Sequence, residues 1–464
     1  MPSAPKPKSE KQPQFRCTEC GWTALRWVGR CGECQAWGTV EEVGPPVVGV
    51  TRARSVAPSA QARPIAEIEA ESADTWATGV DELDRVLGGG IVSGSVVLLA
   101  GEPGVGKSTL LLDVASRAAS TGRTVLYVTG EESASQVRLR AERIGALRPR
   151  LLLAAETDLA TVLGHVEQVK PDLLVVDSVQ TVLSANVDSG PGSVSQVREV
   201  AASLIKLAKT RHMATLLVGH VTKDGGIAGP RVLEHLVDVV CQFEGDRHTR
   251  LRMVRAVKNR YGPTDEVGCF DLSEVGIVGL SDPSGLFLSQ HAEPVPGTAI
   301  TVTLEGRRPM VGEVQALVTQ SPLSSPRRVS NGLESSRVSM VLAVLDRRAG
   351  ITLHQHDTYV STVGGARLGE PSADLAVAIA LASSLLDRPV PPGLVVLGEV
   401  GLAGEVRPVP GVSRRLSEAA RLGFTKAIVP AGTRDQVPAP DGMAVLEVPD
   451  LVGALRPTVL LSPS

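Results

Sequence analysis

The segment Gly101-Glu102-Pro103-Gly104-Val105-Gly106-Lys107-Ser108-Thr109 has the composition and spacing of a phosphate-binding loop. Its glycines let backbone N–H groups curl around a nucleotide's phosphates, Lys107 reaches the β/γ oxygens, and the Ser108 hydroxyl ligates Mg²⁺. All nine residues form the predicted ATP-binding set. The apolar run Leu173-Leu-Val-Val176 ends in Asp177, which puts a carboxylate where such sites hold the other side of the Mg²⁺ ion. Splitting the nucleotide needs a carboxylate that orients and deprotonates water. In Thr129-Gly-Glu131-Glu132-Ser133, Glu131 is the candidate base, with Glu132 beside it. The same acidic pair also suits the start of a helix, where it complements the macrodipole. His220 ends the run Ala214–Gly219 and is either a γ-phosphate sensor or an ordinary turn histidine.

A second constellation is Cys17-x2-Cys20-x10-Cys31-x2-Cys34. Two CxxC pairs at this spacing predict one tetrahedral zinc ion held by four thiolates. Zinc then supplies most of the folding energy of so small a module. Trp22, Trp27 and Trp37 are expected to pack around it in preference to contacting a partner.

The elements that position these groups follow from hydrophobic patterning. Residues 10–42 form the predicted zinc ribbon and 43–64 a Pro/Val/Ala/Arg-rich linker. From 65 to 285, short apolar runs at 95–100, 124–129, 150–154, 172–177 and 214–219 alternate with helical patterns starting near Lys107, Ser133, Asp158 and Ser193. That alternation predicts an α/β layering on a mainly parallel sheet. Residues 237–270 lack long helical patterns and are expected as antiparallel strands at the sheet edge. Residues 286–464 form an α+β domain, with strands near 298–305 and 311–319 and helices near 333–347, 373–386 and 411–422. The chain has 464 residues and a net charge of −3, so any basic surface is local. No run approaches the roughly 20 apolar residues of a membrane helix. The polar, Pro/Lys-rich start lacks a secretory h-region, which points to the cytoplasm and to no membrane partner.

Taken together, the cysteine cluster, GEPGVGKST, TGEES, VVDS, the loop from His220 to His235 and Lys258-Asn-Arg-Tyr-Gly262 resemble the bacterial RadA/Sms DNA repair family over essentially the whole chain. The resemblance implies a RecA-like P-loop ATPase core flanked by the ribbon and a C-terminal Lon-protease-like domain. It implies a hexameric ring that moves on single-stranded DNA, promotes branch migration of recombination intermediates as a motor or helicase, and works with a RecA-type recombinase. Lys258 and Arg260 belong to the family's nucleotide- and DNA-coupling motif. In a ring they can reach the neighbouring subunit's γ-phosphate as an arginine finger does. Six basic residues from Arg247 to Arg260 are expected to make one strand face cationic. Lys223 and Arg231, in the Gly-rich loop 222–231, are expected to track DNA phosphates together with Lys258 and Arg260. No aromatic in that loop can stack on a base, so binding there is independent of sequence.

In the C-terminal domain, Glu370-Pro-Ser372-Ala-Asp374 resembles the serine-bearing segment of Lon proteases. The position of the family's lysine is taken by Ser413, and the adjacent Arg414 and Arg415 stay protonated and cannot act as bases. The domain is therefore expected to be an inactive scaffold. The arginine pairs at 307–308, 327–328 and 347–348, with Arg337 and Arg367, are candidates for a cationic surface for DNA. Two other readings remain open, a KaiC-type nucleotide-dependent signalling ATPase and an ATP-dependent serine protease.

Overall fold

The computed structural model describes residues 15–42, 64, 74–220, 230–245, 250–289 and 293–460. The chain separates into two compact units, Met1–Glu71 and Ser72–Ser464. The first contains a three-stranded antiparallel ribbon of β1 (Phe15–Cys17), β2 (Thr23–Ala24) and β3 (Val40–Glu42), in the order β2-β1-β3. Cys17, Cys31 and Val40 are its buried residues, and Phe15 and Trp22 pack on them. Trp22 behaves as expected, but Trp27 and Trp37 are 64% and 74% exposed. A module of this size has room for one ring over its ligand cluster, and the other two remain outside.

The second unit opens with the short ladder of β4 (Thr75–Trp76) and β5 (Ile91–Val92), which brackets α1 (Asp81–Leu87). The chain then runs through β6 (Val96–Gly101), α2 (Lys107–Ser120), β7 (Val125–Thr129), α3 (Ala134–Arg143) and β8 (Leu151–Ala155). It continues through α4 (Leu159–Val169), β9 (Leu173–Asp177), α5 (Val194–Arg211) and β10 (Ala214–His220). Strands β6, β7, β9 and β10 are buried along almost their whole length, because helices cover both faces of a parallel sheet. Ser133, Asp158 and Ser193 cap their helices by accepting from the backbone N–H three residues on, which fixes each helix start where the sequence predicts it.

After α6 (Pro230–Glu234) come β11 (Val239–Glu244), β12 (Leu251–Asn259), β13 (Val267–Leu272) and β14 (Ile277–Gly279). Among the described residues the sheet has nine strands, in the order β14-β13-β12-β11-β6-β10-β9-β7-β8. The expected antiparallel pairing runs in sequence from β11 through β14, while on its other side β11 pairs parallel with β6. The crossover through α6 returns the chain to the starting end of the sheet, so β11 joins in the parallel sense.

The remaining elements are β15 (Thr298–Glu305), β16 (Arg308–Gln320), β17 (Arg328–Asn331), α7 (Ser335–Ala349), β18 (His356–Thr362) and α8 (Asp374–Leu386). They are followed by β19 (Leu394–Val396), β20 (Glu399–Val400), β21 (Val406–Arg407), α9 (Val412–Arg421), β22 (Lys426–Pro430), β23 (Ala444–Val448) and α10 (Leu451–Leu455). A second sheet has the order β17-β18-β16-β15-β19-β22-β23, and α8, buried on nearly every side, lies against β15 and β16. Among the described residues no helix is long and apolar enough to cross a membrane.

The two sheets are tied by a buried ion pair. Arg308, 6% exposed, pairs with Glu82, 2% exposed, and donates to the carbonyls of Val267 at 3.1 Å and of Leu280 and Ser281 at 2.9 Å. Glu82 Oε2 also accepts the Cys269 N–H at 2.8 Å. Arg308 is thus a brace and not part of a cationic surface, and Arg337 is likewise committed, to Asp374 at 2.5 Å. Removing one partner of a buried pair leaves the other charge stranded. Arg308→Ala is therefore expected to destabilise the protein by about 3–5 kcal/mol. The double change Glu82→Leu with Arg308→Met should cost much less, as measured by urea denaturation.

Candidate active site

The predicted nucleotide-site residues Gly101 to Thr109, Glu131, Asp177 and His220 sit at or just beyond the carboxyl ends of the parallel strands. Register places His220 beside Gly101 and Asp177 beside Thr129, so four strand ends converge on one edge. The loop after β6 turns through Gly104 and Gly106, with φ of +82° and +111°, values a side chain would resist. Gly101 has a different reason to be glycine, since a Cβ there would lie 2.5 Å from the Phe243 carbonyl of β11.

Lys107 is almost fully buried and donates to the carbonyls of Gly101 and Glu102, both at 2.8 Å. Its Nζ lies 3.3 Å from His220 Nδ1, and His220 Nε2 lies 2.8 Å from Glu131 Oε1. Ser178 donates its hydroxyl proton to the same Glu131 oxygen. Lys107, His220, Glu131 and Ser178 therefore form one hydrogen-bonded chain. Burial lowers the Lys107 pKa to about 8, against the opposing pull of Asp177 and Glu131. The His220 hydrogen bond holds Glu131 down at about 2, aided by Ser178 and Lys107 and opposed by burial. Glu131 is therefore an anion, while Glu132 is turned into an ion pair with Arg140.

Asp177 is buried and accepts the Tyr127 hydroxyl at 2.7 Å through Oδ2. Its Oδ1 is buried without a hydrogen-bond partner, an arrangement that a cation would satisfy. Sequence reasoning missed Tyr127 and Ser178. The signals for them were present, because Ser178 follows Asp177 directly and a buried tyrosine hydroxyl needs an acceptor.

Lys258 and Arg260 lie elsewhere. Lys258 is opposite Val240, which is beside Leu98, so it sits about 10 Å down the sheet from Gly101. Its Nζ donates to the carbonyls of Glu234 at 2.7 Å and Val237 at 2.9 Å. Arg260 binds Asp238 at 3.1 Å, and that buried carboxylate also takes Lys209 at 2.6 Å and the Val96 N–H at 3.0 Å. Neither basic residue approaches the phosphate-binding loop of its own chain. The expected cationic strand face is largely neutralised, since Arg250 pairs with Asp271 and Arg255 with Glu244 and Glu305. Arg247 and Lys223 lie outside the described residues. The backbone of Arg231 falls in α6, and its side chain is outside the described set.

The four cysteine sulfurs lie within 4.8 Å of one another, with Cys17–Cys34 at 3.7 Å and Cys20–Cys31 at 3.5 Å. Tetrahedral Zn–S bonds place sulfurs about 3.8 Å apart, so the four thiols fit zinc. In the C-terminal sheet, Ser372 is buried and its hydroxyl accepts from Arg415 Nη1 at 3.0 Å. Arg415 is itself wholly buried and holds both oxygens of Glu370, at 2.5 and 2.8 Å, and the Val302 carbonyl at 2.5 Å. Burial raises the energy of the Glu370 charge, yet Arg415 outweighs it and keeps the carboxyl below its usual range.

The Lys107 environment has a pH signature. Folded Lys107 releases its proton near pH 8, while the unfolded side chain keeps it to about 10.5. Across that window the unfolded state binds the extra proton, so stability of the nucleotide-free protein rises with pH, by up to roughly 3 kcal/mol. Denaturant midpoints measured from pH 7.5 to 10.5 should show that rise in the wild type, and Lys107→Met should lack it.

Comparison with known proteins agrees with these parts. Residues 15–42 match the rubredoxin metal-binding domain family, 61–226 the AAA domain family, and 359–433 the family of subunit ChlI of Mg-chelatase. The chain is 57% identical over 446 residues to the DNA repair protein RadA of Mycobacterium tuberculosis, covering 96% of this chain and 92% of the relative. It is 55% identical to the protein of that name from Mycolicibacterium smegmatis, covering 97% of each. Against that of Streptococcus pyogenes it is 46% identical, covering 95% of this chain and 97% of the relative. An ATP-binding α/β core, a four-cysteine zinc ribbon and a Lon-like C-terminal domain, matched along nearly their full length, show that the chain belongs to the DNA repair protein RadA family.

Proposed function

We propose that the protein is an ATP-driven motor on single-stranded DNA, promoting branch migration of recombination intermediates as a hexameric ring beside a RecA-type recombinase. The observation that carries this reading is the Lys107–His220–Glu131–Ser178 chain, which joins a phosphate-binding cation, a water-orienting carboxylate and the strand end that leads into the loop 222–231.

ATP enters with its phosphates on the N–H groups of the loop Gly101–Gly106, and Lys107 exchanges its carbonyl partners for phosphate oxygens. Ser108 and the open oxygen of Asp177 would hold Mg²⁺, which would neutralise charge developing on the phosphates. Glu131 accepts a hydrogen bond from the attacking water and takes its proton as the γ-phosphoryl group departs. A carboxylate at pKa about 2 is a poor base, so its pairing with His220 sets a threshold. When His220 turns toward the γ-phosphate, Glu131 regains basicity, and the turn occurs three residues before Lys223. Hydrolysis and DNA grip are linked through that histidine.

Lys258 and Arg260, remote from their own chain's nucleotide, serve the neighbour's site. The C-terminal domain acts as a scaffold, because Ser372 faces the permanently charged Arg415 in place of a base. That contact opposes the protease reading.

Glu131→Gln is expected to lower kcat by about 10² to 10⁴ while ATP binding persists, measured by steady-state hydrolysis and nucleotide binding. ATP hydrolysis should rise with single-stranded DNA in the wild type and fail to rise in Lys258→Ala. If stimulation persists in Lys258→Ala, that residue is not the coupling group. Mixing inactive Lys107→Ala with unstimulated Lys258→Ala subunits should restore part of the DNA-stimulated activity, because some interfaces then pair two intact halves. If no activity returns at any ratio, the shared site is wrong.

A further inference from the structure

The ribbon's second cysteine knuckle leaves two tryptophans outside. Among the described aromatic residues, only Trp27, Trp37 and Tyr261 are more than about a third exposed, and the tryptophans, at 64% and 74%, stand well above Tyr261 at 40%. They are neighbours. A Cβ placed on Gly29 would lie 3.6 Å from the Trp27 ring and 3.8 Å from the Trp37 ring, so both indoles flank one glycine.

The pair is held in place from beneath. The Gly38 N–H donates to the Gly29 carbonyl at 3.0 Å, and Arg30 bridges to Trp37 across the hairpin. The Arg30 guanidinium lies 5.7 Å from the centre of the Trp37 ring and also donates to Gln35 at 2.8 and 2.7 Å. A cation on one face of Trp37 leaves the other for a ligand. Cys31 and Cys34 anchor the knuckle in the metal cluster. Exposing two rigid indoles costs solvation, and the ribbon's own core makes no use of them.

We propose that Trp27 and Trp37 form a stacking platform for the bases of single-stranded DNA, with Arg26 and Arg30 on its phosphates. Charge favours nucleic acid over a protein surface. The unit Met1–Glu71 is nearly neutral, with nine Lys and Arg against eight acidic residues, so the favourable charge is local to the knuckle. On the knuckle itself, Arg26 and Arg30 face only Glu33. Base–indole stacking is tolerant of sequence, since every base has a π face. The Gly-rich loop 222–231 has no aromatic residue and can hold phosphates only, so the platform adds the base contact that the motor loop lacks. This inference rests on the reading of the protein as a single-strand motor.

The test uses the full-length, zinc-loaded protein with oligo(dT) and with an abasic oligonucleotide of the same length, followed by fluorescence anisotropy. Wild type should bind oligo(dT) more tightly than the abasic strand, and oligo(dT) alone should quench tryptophan emission. Trp27→Ala with Trp37→Ala should bind oligo(dT) at least tenfold more weakly and the abasic strand as before. Its slope of affinity against salt should be unchanged, because phosphate contacts remain. Trp27→Phe with Trp37→Phe should recover most of the loss. The quenching measurement needs no substitution, so it decides even if the alanine variant loses its zinc. An alanine variant that keeps its zinc and binds oligo(dT) like wild type, or oligo(dT) binding without quenching, overturns the platform and leaves the pair to a protein contact. A wild type that binds neither strand overturns the single-strand motor itself.

Discussion

In a parallel sheet every strand delivers its last residue to the same edge, and this chain puts its chemistry there. Gly101, Thr129, Asp177 and His220 end four adjacent strands whose registers align them within a residue or two. No long-range loop is needed to assemble the site. The cost is that Lys107, Asp177 and Ser178 are buried at this edge, where an unpaired charge is expensive. The hydrogen-bonded chain from Lys107 to Ser178 is the response, as each member satisfies the next.

Two buried carboxylates play the corresponding role away from the nucleotide. Glu82 receives Arg308 from the C-terminal sheet, and Asp238 gathers Lys209, Arg260 and the first N–H of β6. Both connect segments far apart in sequence; Arg308 is drawn inside, whereas Lys209 and Arg260 stay about half exposed. Their effect on surface charge is direct. A chain with 47 Lys and Arg offers few of them free on the strand where they crowd most densely.

Periodicity and motif spacing carried much of this fold. The apolar runs at 95–100, 124–129, 172–177 and 214–219 are β6, β7, β9 and β10, and the serine and aspartate caps start their helices. Gly101, Lys107, Glu131 and Asp177 are brought together because motif residues at strand ends need only the sheet to be parallel. What escaped was pairwise. The direction of β11 depends on a short crossover, the burial of Arg308 on a glutamate more than two hundred residues away, and the contact of Arg415 with Ser372 on the curl of α9. A charged residue looks the same in sequence whether it faces water or an internal carboxylate. The tryptophans erred in the opposite sense, because apolar character argues for burial and the ribbon is too small to provide it.

The close approach of the Phe243 carbonyl to Gly101 has a mechanical meaning. The first residue of the nucleotide loop bears directly on the backbone of β11, with no side chain between them to give way. β11 in turn is laddered to β12, whose far end carries Lys258 and Arg260. A displacement of that end would be carried to the loop along hydrogen-bonded strands. The sheet thus ties the nucleotide loop rigidly to the Lys258 end of β12.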